Sequence, residues 1–139
     1  MKATDAAWLA GIIDGEGSII LDRGLPGSVT LRPVVTVGSS TPVILKKIVK
    51  ITGVGAVRPT RRKEERGKPM FHWSVSCSLA SRALAPIIPY LVLKDRQARL
   101  ALRVENRPRG RVSGGLTVRQ RAQRQRWFLQ MKEFNRHAR

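Results

Sequence analysis

Cysteine is almost absent from this 139-residue chain: Cys77 stands alone. A single thiol excludes an internal disulfide and a cysteine-rich zinc site, and it fits a reducing, intracellular compartment. Acids are scarce as well, 9 Asp+Glu against 27 Lys+Arg, for a formal net charge of +18. Aromatics amount to only 5%. No apolar run approaches the roughly 20 residues of a membrane span. The opening residues carry acids and lack the small-residue cleavage site of a secretory leader, so no leader is expected. Apolar residues still make up 42%, enough for a core and too many for a wholly disordered chain. The length implies one compact domain, with or without a tail. A charge of +18 repels itself unless an anionic partner is near. Nucleic acid is the commonest such partner, with an anionic membrane surface as its rival.

The excess charge is uneven. Residues 1–106 hold 17 Lys+Arg and 8 Asp+Glu; residues 107–139 hold 10 and 1, so each part nets +9. Residues 106–115, NRPRGRVSGG, read as a loop before a basic C-terminal helix. The expected division is a domain over 1–106, a Gly/Arg-rich loop over 107–116 and a helix over 117–139.

Periodicity supplies the elements. Thr4 or Asp5 can cap a helix over residues 6–14, with residues 15–17 as its stop. Residues 18–23 are β-branched and aliphatic, hence a strand, and GLPGS at 24–28 is a turn. Residues 29–37 alternate: Ser28, Thr30, Arg32 and Thr36 fall on one face, Leu31, Pro33, Val35 and Val37 on the other. Thr41 and Pro42 start a second helix at N-cap and N1, and Gly53 ends it. Residues 54–60 and 70–77 form a hairpin around the basic loop RRKEERGKP. Helices follow over 78–88, which Pro89 breaks, over 94–105 and over 117–135. The resulting order, α-β-β-α-β-β-α with further helices, is an α+β fold. Two hairpins make one four-stranded antiparallel sheet with helices on one face and a polar, cationic surface on the other.

The segment WLAGIIDGEGSI, residues 8–19, stands apart. Ala7, Gly11 and Gly15 recur every four residues, a stripe that lets another helix approach closely. Asp14 and Glu16 sit at a helix C-terminus, where the helix dipole disfavours anions and a cation would reverse the penalty. Read from the residues alone, the pair is either such a cation site or simply a polar turn between helix and strand.

LAGIIDGEG, residues 9–17, resembles the LAGLIDADG motif of homing endonucleases. Leu9, Ala10, Gly11, Ile13, Asp14 and Gly17 agree in identity, while Ile12, Gly15 and Glu16 are substitutions. ITGVGAV at 51–57 resembles the Gly-x-Gly lead into the third strand of that family. PYLVLKDRQARLAL at 89–102 looks like its basic segment after the third helix. The resemblance covers about residues 5–105, and with one motif it implies a homodimer whose motif helices pack through Ala7, Gly11 and Gly15.

The resemblance further implies a divalent-metal-dependent DNA endonuclease that makes a staggered double-strand cut in a long, near-palindromic site, typically encoded within an intron. Glu16 is then the catalytic acid and metal ligand, with the Gly15 carbonyl as a second metal donor. Mg²⁺ is the expected ion, Mn²⁺ an alternative, and Ca²⁺ is expected to bind without supporting cleavage. Asp14 becomes a structural helix-end residue. Lys94 matches a basic residue near the cleavage centre and stabilises transition-state charge or positions water. The resemblance implies that some relatives carry a polar, water-positioning residue at the end of the second strand; this chain has Val37 at the nearest match, so either Ser39 or Ser40 substitutes or that part of the water network is missing.

Double-stranded DNA would lie on the sheet, where a β-ribbon can read base edges in the major groove. Alternation nominates Ser28, Thr30, Arg32, Thr36, Arg58, Thr60, Arg62, His72, Ser74 and Ser76. Arg61, Lys63, Arg66 and Lys68 in the hairpin loop suit phosphates. Asp22 either accepts from a cytosine amine or caps a turn. His72 otherwise reads as a polar surface group, and Cys77 as a small packed side chain. Trp127, Met131 and Phe134 recur at helical spacing and would dock the last helix. Its arginines, Arg119, Arg121, Arg124 and Arg126, either grip flanking phosphates or form a solvated face. The alternative function on the same fold is an RNA maturase, with intron RNA as partner, or a DNA-binding protein that no longer cuts. The expected location is intracellular, in the cytoplasm, the nucleoid or an organelle with its own genome, with no membrane association.

Overall fold

The computed structural model describes residues 1–24, 28, 30–60, 69–106 and 116–137. The elements run α1 (Ala3–Glu16), β1 (Gly17–Asp22), β2 (Arg32–Ser39), α2 (Pro42–Thr52), β3 (Ala56–Pro59), β4 (Phe71–Ser76), α3 (Cys77–Leu84), a 3₁₀ helix (Ala85–Tyr90), α4 (Asp95–Glu105) and α5 (Val118–His137). The strands form one antiparallel sheet in the order β1-β2-β4-β3. This is the α+β order that the sequence pattern implies.

Period two sorts the sheet into its faces. Ile19, Leu21, Pro33, Val35, Val37, Trp73 and Val75 are buried. The intervening residues form cross-strand rows on the other face: Ser18 beside Thr36, Thr36 beside Ser74, Ser74 beside Ala56, and His72 beside Arg58. β2 begins at Arg32 rather than at residue 29, so Ser28 and Thr30 precede it; Ser28 Oγ instead accepts from the Thr30 N–H at 3.1 Å, a local turn that competes with strand pairing.

Trp73 is fully buried at the centre, and burying such a side chain contributes about 3 kcal/mol. Its Nε1 donates to the Val54 carbonyl at 2.9 Å. The indole lies so close to Gly55 (φ +78°) that a Cβ there would stand 2.4 Å from Nε1. Gly53 (φ +67°) closes α2 with its N–H on the Val49 carbonyl, while Thr41 occupies the N-cap without a side-chain capping bond.

Helix α1 is longer than its pattern suggests. It starts at Ala3 with Lys2 at the N-cap, and no side chain caps it, so neither Thr4 nor Asp5 serves. It also passes through Gly15 and ends after Glu16, where the Gly17 N–H still bonds the Ile13 carbonyl. A Cβ at Gly17 would lie 2.7 Å from that carbonyl oxygen, so only glycine fits the exit. The third helix is also divided differently. It is α-helical only to Leu84, and Pro86 opens the 3₁₀ segment. Proline has no N–H for the carbonyl four residues back, whereas near the start of a new helix that N–H has no partner to lose. Pro89 lies inside the 3₁₀ helix rather than ending an α-helix.

Helix α5 packs on α4 and β1 through buried Trp127 and Met131. Asn135 Nδ2 donates to the Ile19 carbonyl at 3.1 Å and Gln97 Nε2 to the Phe134 carbonyl at 3.3 Å. The first of these bonds satisfies a carbonyl on the outermost strand. Among the described residues no helix is long and apolar enough to cross a membrane.

Candidate active site and nucleic-acid interface

The foot of α1 is built by a reciprocal exchange with residues 92–94. The Asp14 carboxylate accepts from the Val92 N–H at 2.7 Å and from the Lys94 N–H at 2.9 Å. Lys94 returns its ammonium to the helix, donating to the Ile13 carbonyl at 2.8 Å and to the Asp14 carbonyl at 2.6 Å. Those carbonyls lie in the last turn of the helix, where the Ile13 oxygen also keeps the Gly17 N–H, so the cation adds to the hydrogen bonding and complements the dipole. Lys94 is 8% exposed. Burial pulls its ammonium below the ordinary lysine value, while the nearby Asp14 and Glu16 carboxylates pull it back up.

With Asp14 committed to the turn and Lys94 beneath it, Glu16 and Gly15 are the exposed end of the motif. Glu16 is the last helical residue and Gly17 the first of β1, so this carboxylate sits where the helix meets the sheet. Ala7, Gly11 and Gly15 are exposed on the opposite side of α1 from buried Ala6, Leu9, Ala10 and Ile13. A Cβ at Gly11 or Gly15 would meet nothing within 4 Å.

The sheet face holds most of the residues nominated for DNA. Arg58, His72 and Ser74, with Gly55 and Ala56, line a shallow cavity of about 210 Å³. Thr60 Oγ1 lies 3.2 Å from His72 Nδ1, which joins the end of β3 to this group. Ser76 is exposed at the end of β4, Thr36 is half-buried in β2, and Thr30 is exposed ahead of it. Arg32 is exposed but paired with Asp22. Asp22 also accepts from the Gly24 N–H at 3.0 Å, so it caps the turn. The Gly24 bond, followed by that from Arg32, holds its carboxyl below the usual carboxylate range. Val37 faces the core at 1% exposure, and Ser39 Oγ accepts from the Thr41 N–H at 3.2 Å. Arg61, Arg62, Lys63, Arg66 and Lys68, most of the 24–28 turn and the 107–115 loop lie outside the described residues.

The fold that brings the helix foot and the sheet face together has parallels among solved structures. The homing endonuclease I-CvuI, in complex with its target in the presence of Ca, matches with a TM-score of 0.73 and 26% identity, over 95% of this chain and 82% of that one. The archaeal intron-encoded homing endonuclease I-Vdi141I, complexed with DNA, matches with 0.69 and 19% identity, over 94% and 84%. The LAGLIDADG homing endonuclease I-GzeII, in complex with its DNA target, matches with 0.63 and 14% identity, over 91% and 43%. The chain shares the fold of the LAGLIDADG homing endonucleases. No family model matches the sequence, and no curated protein does. The structural likeness to family members reaches past residues 5–105, which the motifs alone cover, and takes in most of α5.

Two features of this chain are not marked by its sequence pattern. One is the pair of turn N–H groups held by Asp14, which no local pattern marks because the partners lie about 80 positions apart. The other is Arg23. Continuing the alternation past Leu21 would have placed it on the helix side, where its guanidinium lies 3.8 Å over the Phe128 ring and bonds Gln125.

Proposed function

We propose that this chain is a site-specific DNA endonuclease that works as a homodimer, making a staggered double-strand cut in a long, near-palindromic site by metal-dependent phosphodiester hydrolysis. One observation carries the reading: Glu16 is exposed at the junction of α1 and β1, on a foot that Asp14 and Lys94 hold rigid. A pure binding surface gains nothing from an acid placed to face phosphate.

The donors at the foot suit a hard cation. Glu16 and the Gly15 carbonyl offer oxygen only, and among the described residues no three His, Cys, Asp or Glu side chains gather. Mg²⁺ is commonly held in this way, by one or two carboxylates with water and phosphate completing the shell. Glu16 and the Gly15 carbonyl would hold the ion, which when bound would supply Lewis-acid charge stabilisation for phosphodiester hydrolysis. Mn²⁺ is an alternative, and Ca²⁺ would bind without cutting. Glu16 orients its carboxylate toward the scissile phosphate. Lys94 keeps positive charge under the foot, favouring the charge that builds on the phosphate oxygens. Arg58, Thr60, His72, Ser74, Ser76, Thr36, Thr30 and Ser28 read bases or position the duplex; Arg32 does so from its pair with Asp22. The hairpin-loop cations Arg61, Arg62, Lys63, Arg66 and Lys68 bind phosphates.

The dimer reading is supported by α1 itself. Apolar residues lie on all sides of the helix, yet the described residues cover only one side of it. A helix apolar on all sides is normally buried, and the open space at Gly11 and Gly15 admits the backbone of a second α1. Two such feet place two Glu16 carboxylates near one two-fold axis, one for each strand of the duplex. The gene would lie in an intron, and the enzyme would act inside the cell on the DNA of its host compartment.

The test begins with a duplex that the protein selects from a randomised pool. Cleavage of it is measured with Mg²⁺ and with Ca²⁺, for wild type and Glu16→Gln. A staggered cut in Mg²⁺ that Glu16→Gln abolishes while binding persists is the expected result. Tight duplex binding with no cut in any divalent ion refutes the nuclease reading and favours the RNA maturase or a regulator.

A further inference from the structure

The first half of α5 carries charge that neither the sheet face nor the foot of α1 uses. Residues 118–126 hold Arg119, Arg121, Arg124 and Arg126 and no acid. Trp127 and Met131 in the second half are 5% and 2% exposed, whereas Val118, Arg119, Arg121 and Arg126 are exposed. The helix therefore docks by its C-terminal half and extends its N-terminal half into solvent. A short helical stretch without packing would ordinarily fray. This one is closed by a reciprocal capping box: the Gln120 N–H donates to Thr117 Oγ1 at 3.2 Å and the Thr117 N–H to Gln120 Oε1 at 2.9 Å. Arg121 Nε adds a bond to the Leu116 carbonyl at 3.1 Å, and Arg126 one to Gln123 at 3.2 Å. The arginines stand on a rod rather than a loose tail.

Two contacts orient the rod. Arg23, just past the end of β1, meets Gln125 and Phe128, while Ile19 near its start meets Asn135. Four residues of strand span about 13 Å and the eight to nine residues of helix between those contacts also span about 13 Å. The equal lengths mean that α5 lies alongside β1, antiparallel to it. Since β1 starts at Gly17, next to Glu16, and runs away from it, the arginine half projects about 10 Å beyond the far end of β1.

We propose that residues 118–126 form a second DNA-binding element, which grips backbone phosphates outside the stretch of duplex covered by the sheet. The inference rests on the reading that duplex DNA lies on the sheet. Arginine suits phosphate because its fork donates two parallel charged hydrogen bonds. Arg119 and Arg126 are seven residues apart on one face, about 10.5 Å along the axis, which is close to three steps of rise along a DNA strand. The Arg23 contacts fasten the root of the arm to the end of β1. The arm reaches at most roughly 30 Å from Glu16 along the strand direction, or about nine base pairs of duplex.

The experiment compares two duplexes: the site that the wild-type protein selects from a randomised pool, trimmed to its selected bases, and the same site extended by about 12 base pairs on each side. Binding is measured over a range of salt for wild type, Arg119→Ala/Arg126→Ala and Arg119→Lys/Arg126→Lys. Wild type should bind the extended duplex roughly tenfold tighter than the trimmed one. The alanine pair should lose that gain, keep wild-type affinity for the trimmed duplex, and show a log K against log salt slope on the extended duplex shallower by about 0.9 for each lost contact. The lysine pair should retain most of the slope. An alanine pair that keeps the full gain overturns the proposal, and so does one that weakens both duplexes equally. The same variants are titrated on RNA of the same sequence, where a loss confined to the RNA also overturns the proposal and makes the arm an RNA surface. Failure of the wild type to select any duplex would instead refute DNA binding on the sheet, a result separable from all of these.

Discussion

Replacing Asp14 by alanine tests whether the foot of α1 is one unit. The carboxylate accepts from two backbone N–H groups, those of Val92 and Lys94, at 2.7 and 2.9 Å. Hydrogen bonds to a charged group are worth about 1.5–3 kcal/mol each. The Val92 bond is exposed and the Lys94 bond only part-buried, so the lower end applies to both. Asp14→Ala should therefore lower stability by about 3 kcal/mol. For a chain of this size that is a fall of roughly 12 °C in Tm. Asp14→Asn keeps one acceptor and turns an amide N–H toward the other donor, so it should lose about half as much. Glu16→Gln, an exposed change on the same foot, should stay within about 0.5 kcal/mol. Thermal unfolding of the three variants beside wild type, with urea titration as a second probe, gives the comparison. Equal small losses for alanine and asparagine, under about 0.5 kcal/mol each, would refute the reasoning, because the turn would then be held by something other than Asp14.

Other predictions concern packing, protonation and assembly. Gly55→Ala drives a Cβ to 2.4 Å from Trp73 Nε1 and 2.8 Å from Val75 Cγ1 at a φ of +78°; it should cost about 3 kcal/mol in urea unfolding, and a near-native midpoint would count against it. Lys94 titrates below its ordinary 10.5 in the folded state. The unfolded chain therefore binds more protons between the folded value and 10.5, and stability gained from this group rises with pH across that window. The stability difference, wild type minus Lys94→Met, should rise toward pH 10.5; a flat difference would show that burial does not perturb the ammonium. A Cβ at Gly11 meets nothing within 4 Å, so for Gly11→Leu Tm should hold or rise slightly while light scattering shows the dimer lost. A dimer that survives would place the interface elsewhere.

How far the molecule could be read in advance depended on whether each element's causes were local. Strand parity was readable because burial follows a period of two: Leu31, Pro33, Val35 and Val37 are all buried, as their alternation requires. Gly53 was readable because a left-handed cap needs glycine. The end of α1 was not, since Gly15 looks like a stop. What carries the helix through it is a lysine about 80 residues away that satisfies the terminal carbonyls. The start of β2 was displaced by a serine that bonds its own backbone. By position alone Glu16 and Asp14 look alike; the motif resemblance sets Asp14 apart as a helix-end residue, and the turn at 92–94 occupies it while Glu16 stays exposed.

The two borders of the sheet have unequal defences against unwanted strand pairing. β3 is four residues long and ends in Pro59, so it offers a visiting strand little to bond. β1 is longer and carries Ile19, Ile20 and Leu21 in a row, and its guard is α5, whose Asn135 occupies the Ile19 carbonyl. The last helix thus doubles as a shield for an otherwise adhesive margin. A shortened form lacking it should keep its hydrogen-bonding pattern within the sheet and yet aggregate through β1, so solubility rather than secondary structure would be the first property to fail.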